Sequence, residues 1–184
     1  ISVTAMSCDY TPAYYTNYGP GCNIAAPGGD AYQSYLENIN TGASEVLSTV
    51  NGGKYGYMQG TSMACPHVSG VAALGLAYAA QNGKKYTPSE FKALLMSSVY
   101  GIDDYFTGSK RGDGVIVPDL SVYKNKMGGG CIDALKLLLA IKERSGRHGR
   151  VILQGHVKDG CKAADCGGLR AVEKVLAPGI ARIV

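Results

Sequence analysis

The sequence contains no tryptophan, only two phenylalanines and only three histidines. It has six cysteines but no Cys-x-x-Cys pair, so the spacing typical of structural zinc sites is missing. The histidines and cysteines beyond residue 143 also match no common metal-binding pattern, and we predict no metal site. No uninterrupted apolar run reaches the length of a membrane-spanning helix, so we predict no membrane span.

Charge and aromatic residues are distributed unevenly along the 184 residues. Residues 1–143 carry 10 basic and 11 acidic side chains, whereas residues 144–184 carry 8 and 3. All 13 tyrosines and both phenylalanines lie before residue 144. We therefore predict one domain over residues 1–143 and a basic, poorly ordered tail of unknown role over residues 144–184. Because no aromatic side chains lie among the basic residues of this tail, we predict that it does not bind nucleic acid.

Apolar patterning indicates alternating strands and helices. Strands are predicted over residues 1–6 and 23–26, a hairpin over 45–58 around Asn51-Gly52-Gly53, and helices over 63–80, 88–98 and 132–142. The helix at 88–98 is preceded by a capping box, Thr87-Pro88-Ser89-Glu90. The helix at 63–80 is apolar almost all the way round, which predicts a central, buried helix. Residues 101–130, rich in Gly and Asp, are predicted to form loops.

Ser62 immediately precedes this apolar helix. A serine hydroxyl is a weak nucleophile until a base removes its proton. At the start of a helix, however, the first backbone N–H groups lack internal acceptors and would stabilise an oxyanion that forms beside the serine. The alternative at this position is that Ser62 serves only as the helix N-cap, the commonest role of a serine before a helix.

Residues 60–70, GTSMACPHVSG, resemble the nucleophile motif of the subtilisin-like serine proteases, or subtilases. Further stretches resemble other parts of that family and occur in the family's order: residues 26–28 (APG), 47–49 (LST), 55–57 (YGY) and 128–134 (GGGCIDA). The resemblance covers residues 1–143. It implies an α/β fold, namely the C-terminal portion of a doubly wound, mostly parallel sheet with helices on both faces.

The resemblance also implies the chemistry of a serine endopeptidase that cleaves a polypeptide substrate through an acyl-enzyme. Ser62 would be the nucleophile and its N–H one oxyanion donor, with Thr61 as a supporting residue. Gly60 and Gln59 are candidates for the substrate groove. An extracellular or cell-envelope location is implied in the same way, as is a structural calcium ion, although no residue cluster here has convincing calcium-ligand spacing.

The sequence departs from the family pattern upstream of the nucleophile. The family's catalytic Asp and His and its oxyanion Asn all precede the serine, but the 61 residues before Ser62 contain no histidine. His67 lies five residues after Ser62, within the nucleophile motif, and is predicted to be a buried structural histidine. The chain is therefore predicted to be inactive alone and to need the missing N-terminal part of the catalytic domain as its partner.

Two alternatives remain. The chain could be a non-catalytic remnant or binding module that keeps the subtilase scaffold. It could also be an α/β-hydrolase, in which an aspartate and then His148 or His156 follow Ser62. The hydrolase is less favoured, because Ala64 replaces the last glycine of the usual Gly-x-Ser-x-Gly elbow and the segment at 45–58 is predicted to be a hairpin.

Overall fold

The computed structural model describes residues 1–32, 44–112 and 114–143. Several sequence predictions concern residues outside these ranges. They include the basic tail at 144–184 with its predicted disorder, and the two histidines of the hydrolase alternative, His148 and His156. The expected α/β fold is present in the described part of the chain.

The main sheet has four strands in the order β1-β2-β8-β5. These strands are β1 (Val3–Met6), β2 (Ile24–Pro27), β5 (Val99–Tyr100) and β8 (Cys131–Ile132). The strands β1, β2 and β8 are parallel, and β5 pairs antiparallel with β8. The predicted strands at 1–6 and 23–26 are confirmed, and β1 lies at one edge of the sheet.

Two antiparallel hairpins flank this sheet. The first, β3 (Val46–Val50) with β4 (Lys54–Met58), is the hairpin predicted around Asn51-Gly52-Gly53. The second, β6 (Lys110–Gly112) with β7 (Val115–Val117), lies in the segment that was expected to contain only loops. That expectation is wrong. Strands of three residues are too short to show an alternating pattern, although the Asp113-Gly114 dipeptide between them is a hairpin signal in the sequence.

Three α-helices have described bounds: α1 (Thr61–Gln81), α2 (Pro88–Ser97) and α3 (Ala134–Glu143). The predicted capping box of α2 forms completely. The sequence pattern of α3 predicts an inward face of Ile132, Leu135, Leu138 and Leu139. Leu138 is buried as predicted, but the other buried residues are Leu137 and Ile141. The helix begins only at Ala134, so Ile132 belongs to β8, and the buried residues Leu137, Leu138 and Ile141 share one face of α3.

The two faces of the main sheet are covered differently. All three described α-helices pack with Ala5, Ile24 and Ala26 on one face. Met6 and Ala25 point to the other face, where residues from 102–127 cover them. That segment includes two short 3₁₀ turns, Asp103–Tyr105 and Leu120–Tyr123.

The helix α1 is more exposed than its apolar sequence predicts. It packs against β1, β2 and α3, but only Ala64, Val68, Gly75 and Ala79 are buried. The expectation of a helix buried all round is therefore wrong for this chain, because the described residues cover only one side of it. Its 21 residues also meet the length and mean hydropathy of a membrane span, but a core helix of a soluble protein meets the same criteria. The absence of a membrane span therefore stays a prediction.

Candidate active site

Ser62 occupies the second position of α1, and its side chain does not cap the helix. The N-cap is Gly60, which has a φ of 148° and forms no side-chain capping hydrogen bond. Ser62 is exposed, and its Oγ has no hydrogen-bond partner among the described residues. The capping alternative for Ser62 is therefore wrong, and the hydroxyl is available for chemistry.

The backbone at the start of α1 provides hydrogen-bond donors beside this hydroxyl. The carbonyl oxygen of Gly60 accepts from Met63 N at 3.0 Å and from Ala64 N at 3.2 Å. In the described part of the chain, no acceptor reaches the N–H groups of Thr61 or Ser62. Together with the helix dipole, these two N–H groups favour a negatively charged oxygen next to Ser62.

Ser62 lines an open cleft of about 680 Å³ between α1 and the start of the chain. The cleft is lined by Ile1, Val3, Thr61, Ser62, Cys65, Pro66 and Ser69. It therefore opens along the edge of the sheet formed by β1, and its walls are mostly apolar.

The turn after β2 fixes the loop that leads to Ser62. Gly60 N donates to Gly28 O at 2.8 Å, and Tyr15 Oη lies 2.9 Å from Gly28 O and 2.6 Å from Gly29 O. Burial raises the pKa of Tyr15 well above its usual value, so the phenol stays protonated and donates to these carbonyls. A Cβ at Gly28 would lie 2.5 Å from Ala5 Cβ and 2.9 Å from Gly60 O, so only glycine allows this close approach.

Gln59 uses its amide to hold the same loop. Its Oε1 accepts from Ala31 N at 2.7 Å, and its Nε2 donates to Tyr14 Oη at 3.3 Å. Because both ends of the amide are engaged within the chain, a contribution of Gln59 to the substrate groove would come from its backbone. The groove role of Gln59 and Gly60 and the supporting role of Thr61 stay predictions.

His67 is the one histidine in the described part of the chain. It is half-buried rather than fully buried as predicted, and its Nδ1 lies 2.8 Å from Met63 O. Because a carbonyl oxygen only accepts hydrogen bonds, Nδ1 carries the proton. This contact one turn back along α1 matches a structural histidine and not a base turned toward Ser62.

The described residues form no group of three His, Cys, Asp or Glu side chains that could hold a metal ion. Calcium also binds backbone and amide carbonyl oxygens, so the structural calcium ion that the family resemblance implies stays a prediction. No disulfide joins the four cysteines of the described segments, Cys8, Cys22, Cys65 and Cys131. Burial raises the pKa of the Cys131 thiol to about 11, which keeps it protonated at neutral pH.

One buried ion pair was missed by the sequence analysis. Lys110 Nζ lies 2.9 Å from Asp30 Oδ2, and both side chains are buried. The partners are far apart in the sequence and neither belongs to a short motif, so no local pattern could have paired them.

Comparisons with known proteins agree with this geometry. A family model described as the subtilase family matches residues 1–130. An extracellular basic protease of Dichelobacter nodosus is 42% identical over 97 residues, which is 52% of this chain and 15% of that protein. An extracellular protease of Xanthomonas campestris pv. campestris is 32% identical over 122 residues, which is 66% of this chain and 19% of that protein. The chain thus spans less than a fifth of the length of these two relatives.

Solved structures show the same fold. A protease structure from Pseudoalteromonas arctica matches with a TM-score of 0.53 at 30% identity, over 77% of this chain and 35% of that chain. A prenylagaramide maturation protease matches with the same TM-score of 0.53 at 24% identity, which shows the fold alone. The match of the family model to most of the chain decides the assignment, and the chain belongs to the subtilase family.

Proposed function

We propose that this chain is the C-terminal part of the catalytic domain of a secreted serine endopeptidase, with Ser62 as the nucleophile. The observation that carries the proposal is the exposed Ser62 hydroxyl, which lies beside the N–H groups at the start of α1 and faces an open cleft. Membership of the subtilase family supports the reaction class. The names of two relatives, both extracellular proteases, support secretion.

In the proposed reaction, Ser62 Oγ attacks the carbonyl carbon of a peptide bond and a new C–O bond forms. The Oγ proton passes to a base, and the carbonyl oxygen, now negative, accepts a hydrogen bond from Ser62 N–H. The C–N bond then breaks, and the amine leaves with the proton that the base returns. The acyl group stays on Ser62 until water hydrolyses it.

The described residues supply the nucleophile and oxyanion donors but no base. His67 is the one histidine among them, and its Nδ1 is engaged by Met63 O. Catalytic triad residues act as a unit, so a lone serine gives little of the rate enhancement. We therefore expect the 184-residue chain to be inactive alone.

The proposed partner is the N-terminal part of the same catalytic domain. It would cover a surface that we term the uncovered face, defined as the outer edge of β1 at Val3 and the exposed side of α1 at Ser62, Cys65, Ser69 and Ala73. Parallel sheets are normally covered on both faces. On the outer edge of β1, Ala13 N and Thr16 Oγ1 already bond the backbone of Ala5, so a further strand would pair only with the first part of β1, at Val3. A further strand beside β1 and a helix beside α1 would satisfy both elements.

A fluorophosphonate probe tests the assignment of Ser62. The probe is applied to the 184-residue chain and to the extended protein, meaning this chain with its upstream genomic sequence restored. We expect only the extended protein to react, with loss of fluoride and formation of a phosphonyl ester. Ser62→Ala should abolish this labelling, whereas Ser48→Ala, at an exposed serine of β3, should not change it.

The other outcomes of this experiment favour the alternatives. An extended protein that does not react would make the chain a non-catalytic relative with the subtilase scaffold. Labelling of the 184-residue chain alone would favour the α/β-hydrolase alternative, with His148 or His156 as the base.

A further inference from the structure

The buried ion pair between Lys110 and Asp30 is not used in the proposed reaction. Lys110 has a side-chain exposure of 5% and Asp30 of 0%, and their charged atoms are 2.9 Å apart. Taking two charges out of water is expensive, and an apolar pair of similar volume is often as stable. A contribution to stability is therefore a weak explanation for this ion pair, and its position in the fold suggests a different role.

Asp30 fixes the turn that supports the nucleophile loop. Its Oδ2 also accepts from Tyr14 N at 3.2 Å, and its Oδ1 accepts from Tyr32 N at 3.2 Å. Asp30 follows Gly28 by two residues, and Gly28 O is the acceptor for Gly60 N. A shift of the Asp30 carboxylate would therefore move the turn to which Gly60 is bonded.

Lys110 holds a second segment at the same place. Its Nζ lies 2.6 Å from Thr11 Oγ1 and 2.7 Å from Pro12 O, in addition to the carboxylate of Asp30. The ammonium group thus uses its three protons on the loop after β1 and on the turn after β2. The first segment continues to Tyr15, whose Oη donates to Gly28 O, and the second contains Gly28, whose carbonyl accepts from Gly60 N.

The β6–β7 hairpin reaches the nucleophile loop by a second route. Gly112 packs so closely on the ring of Tyr14 that a Cβ at this position would overlap the ring. Tyr14 Oη in turn accepts from Gln59 Nε2. The hairpin is therefore linked to Gln59 through Tyr14. It is also linked to Gly60, the next residue, through Asp30 and the turn that contains Gly28.

We propose that Lys110 and Asp30 are positioning residues for the nucleophile loop at 59–62. The pair holds the Gly28 carbonyl where Gly60 N–H meets it, and so fixes the direction of the Ser62 N–H group and hydroxyl. This inference rests on the proposed function of Ser62, because positioning affects catalysis only if the loop is catalytic. A displacement of about 1 Å at such a site lowers a rate by roughly a hundredfold.

Amide hydrogen exchange tests the positioning without any catalysis. In the 184-residue chain, exchange is measured at Gly60 N, bonded to Gly28 O, and at Ala25 N, bonded to Gly130 O inside the sheet. The variants are Lys110→Met and the double variant Asp30→Asn with Lys110→Met, and only the double variant leaves no unpaired buried charge. We expect Gly60 to exchange about tenfold faster or more in both variants. Ala25 should be unchanged in the double variant, whereas in Lys110→Met the unpaired Asp30 lowers overall stability and accelerates Ala25 as well.

The matched control is Arg111→Met, which removes a neighbouring positive charge from an exposed position of β6. It should leave both amides unchanged. Exchange at Gly60 that stays at the wild-type rate in the double variant would overturn the proposal. So would equal acceleration at Gly60 and Ala25 in the double variant, which would make the pair a determinant of overall stability only.

Peptide hydrolysis by the extended protein separates this proposal from the proposed function. We expect the double variant to lower kcat by about tenfold to a hundredfold with little change in KM, since the loop acts on the transition state. A change in KM alone would contradict positioning of the nucleophile. The unmodified extended protein could cleave no peptide while exchange at Gly60 is still faster in the variants. The proposed function would then be wrong, but the link between the Lys110–Asp30 pair and the loop at 59–62 would be confirmed.

Discussion

At the scale of single residues, Gly28 shows how closely the site is packed. Its α-carbon faces Ala5, Tyr15 and the carbonyl of Gly60, all within 3.0 Å of a Cβ built at this position. The glycine thus lets the turn after β2 approach β1 and the nucleophile loop at once.

We predict that Gly28→Ala destabilises the extended protein by about 1–3 kcal/mol, because its methyl group would overlap atoms that cannot all move. The measurement is the urea midpoint of unfolding. Gly101→Ala is the matched control, since nothing lies within 4 Å of a Cβ there and Gly101 lies outside α1. That substitution should change the stability by less than about 0.5 kcal/mol. Equal midpoints for the two variants would contradict the close packing at Gly28.

Residue roles could be predicted where a short motif carries them. The motif at 60–70 predicted the exposed serine at the start of a helix, and the structure places Ser62 there. The ion pair between Asp30 and Lys110 could not be predicted, because it depends on the tertiary contact of the β6–β7 hairpin with the turn after β2. The capping hypothesis failed because Thr61 already belongs to the helix, which leaves Gly60 as the N-cap.

At the scale of elements, the capping box of α2 was predictable because all its contacts are local. Thr87 Oγ1 accepts from Glu90 N at 3.3 Å, and Glu90 Oε2 accepts from Thr87 N at 2.8 Å. The bounds of α1 were each predicted within two residues for the same reason. The exposure of α1 was not predicted. An apolar composition shows that a helix can be buried, but it does not show whether other elements pack around it.

We predict that Thr87→Ala destabilises the extended protein by about 1 kcal/mol through loss of the cap. Phe91, Leu94 and Leu95 of α2 pack in the same core as α1, so the loss should appear as a lower urea midpoint of the whole protein. Lys92→Ala, at an exposed position of the same helix, should change the midpoint by less than about 0.5 kcal/mol. A Thr87 variant as stable as the Lys92 variant would show that the cap contributes little.

At the scale of the whole molecule, the fold class was predictable through the resemblance to a family, whereas the incomplete coverage of α1 was not. The uncovered face exposes Cys65, Ser69 and Ala73 on a helix with no charged side chain from Thr61 to Gln81. A surface helix normally places charged residues toward water. An uncharged side on α1 therefore favours burial against further protein.

A charge on the uncovered face distinguishes the chain from the extended protein. We predict that Ala73→Arg leaves the 184-residue chain unchanged in far-ultraviolet circular dichroism, because Ala73 is exposed there. In the extended protein, the same arginine would be buried without a partner, which costs about 3–5 kcal/mol. Fluorophosphonate labelling of Ser62 should then be lost or strongly reduced.

Thr49→Arg, at an exposed position of β3, adds the same charge outside the uncovered face and should leave labelling intact. If the extended protein tolerates Ala73→Arg as well as Thr49→Arg, the N-terminal part does not dock on α1, and the partner proposed for this chain is wrong. If only Ala73→Arg abolishes labelling, the reactivity of Ser62 depends on a contact between α1 and a helix that lies outside the 184 residues. The incomplete site and the uncovered face would then have one cause, namely that the sheet continues beyond β1.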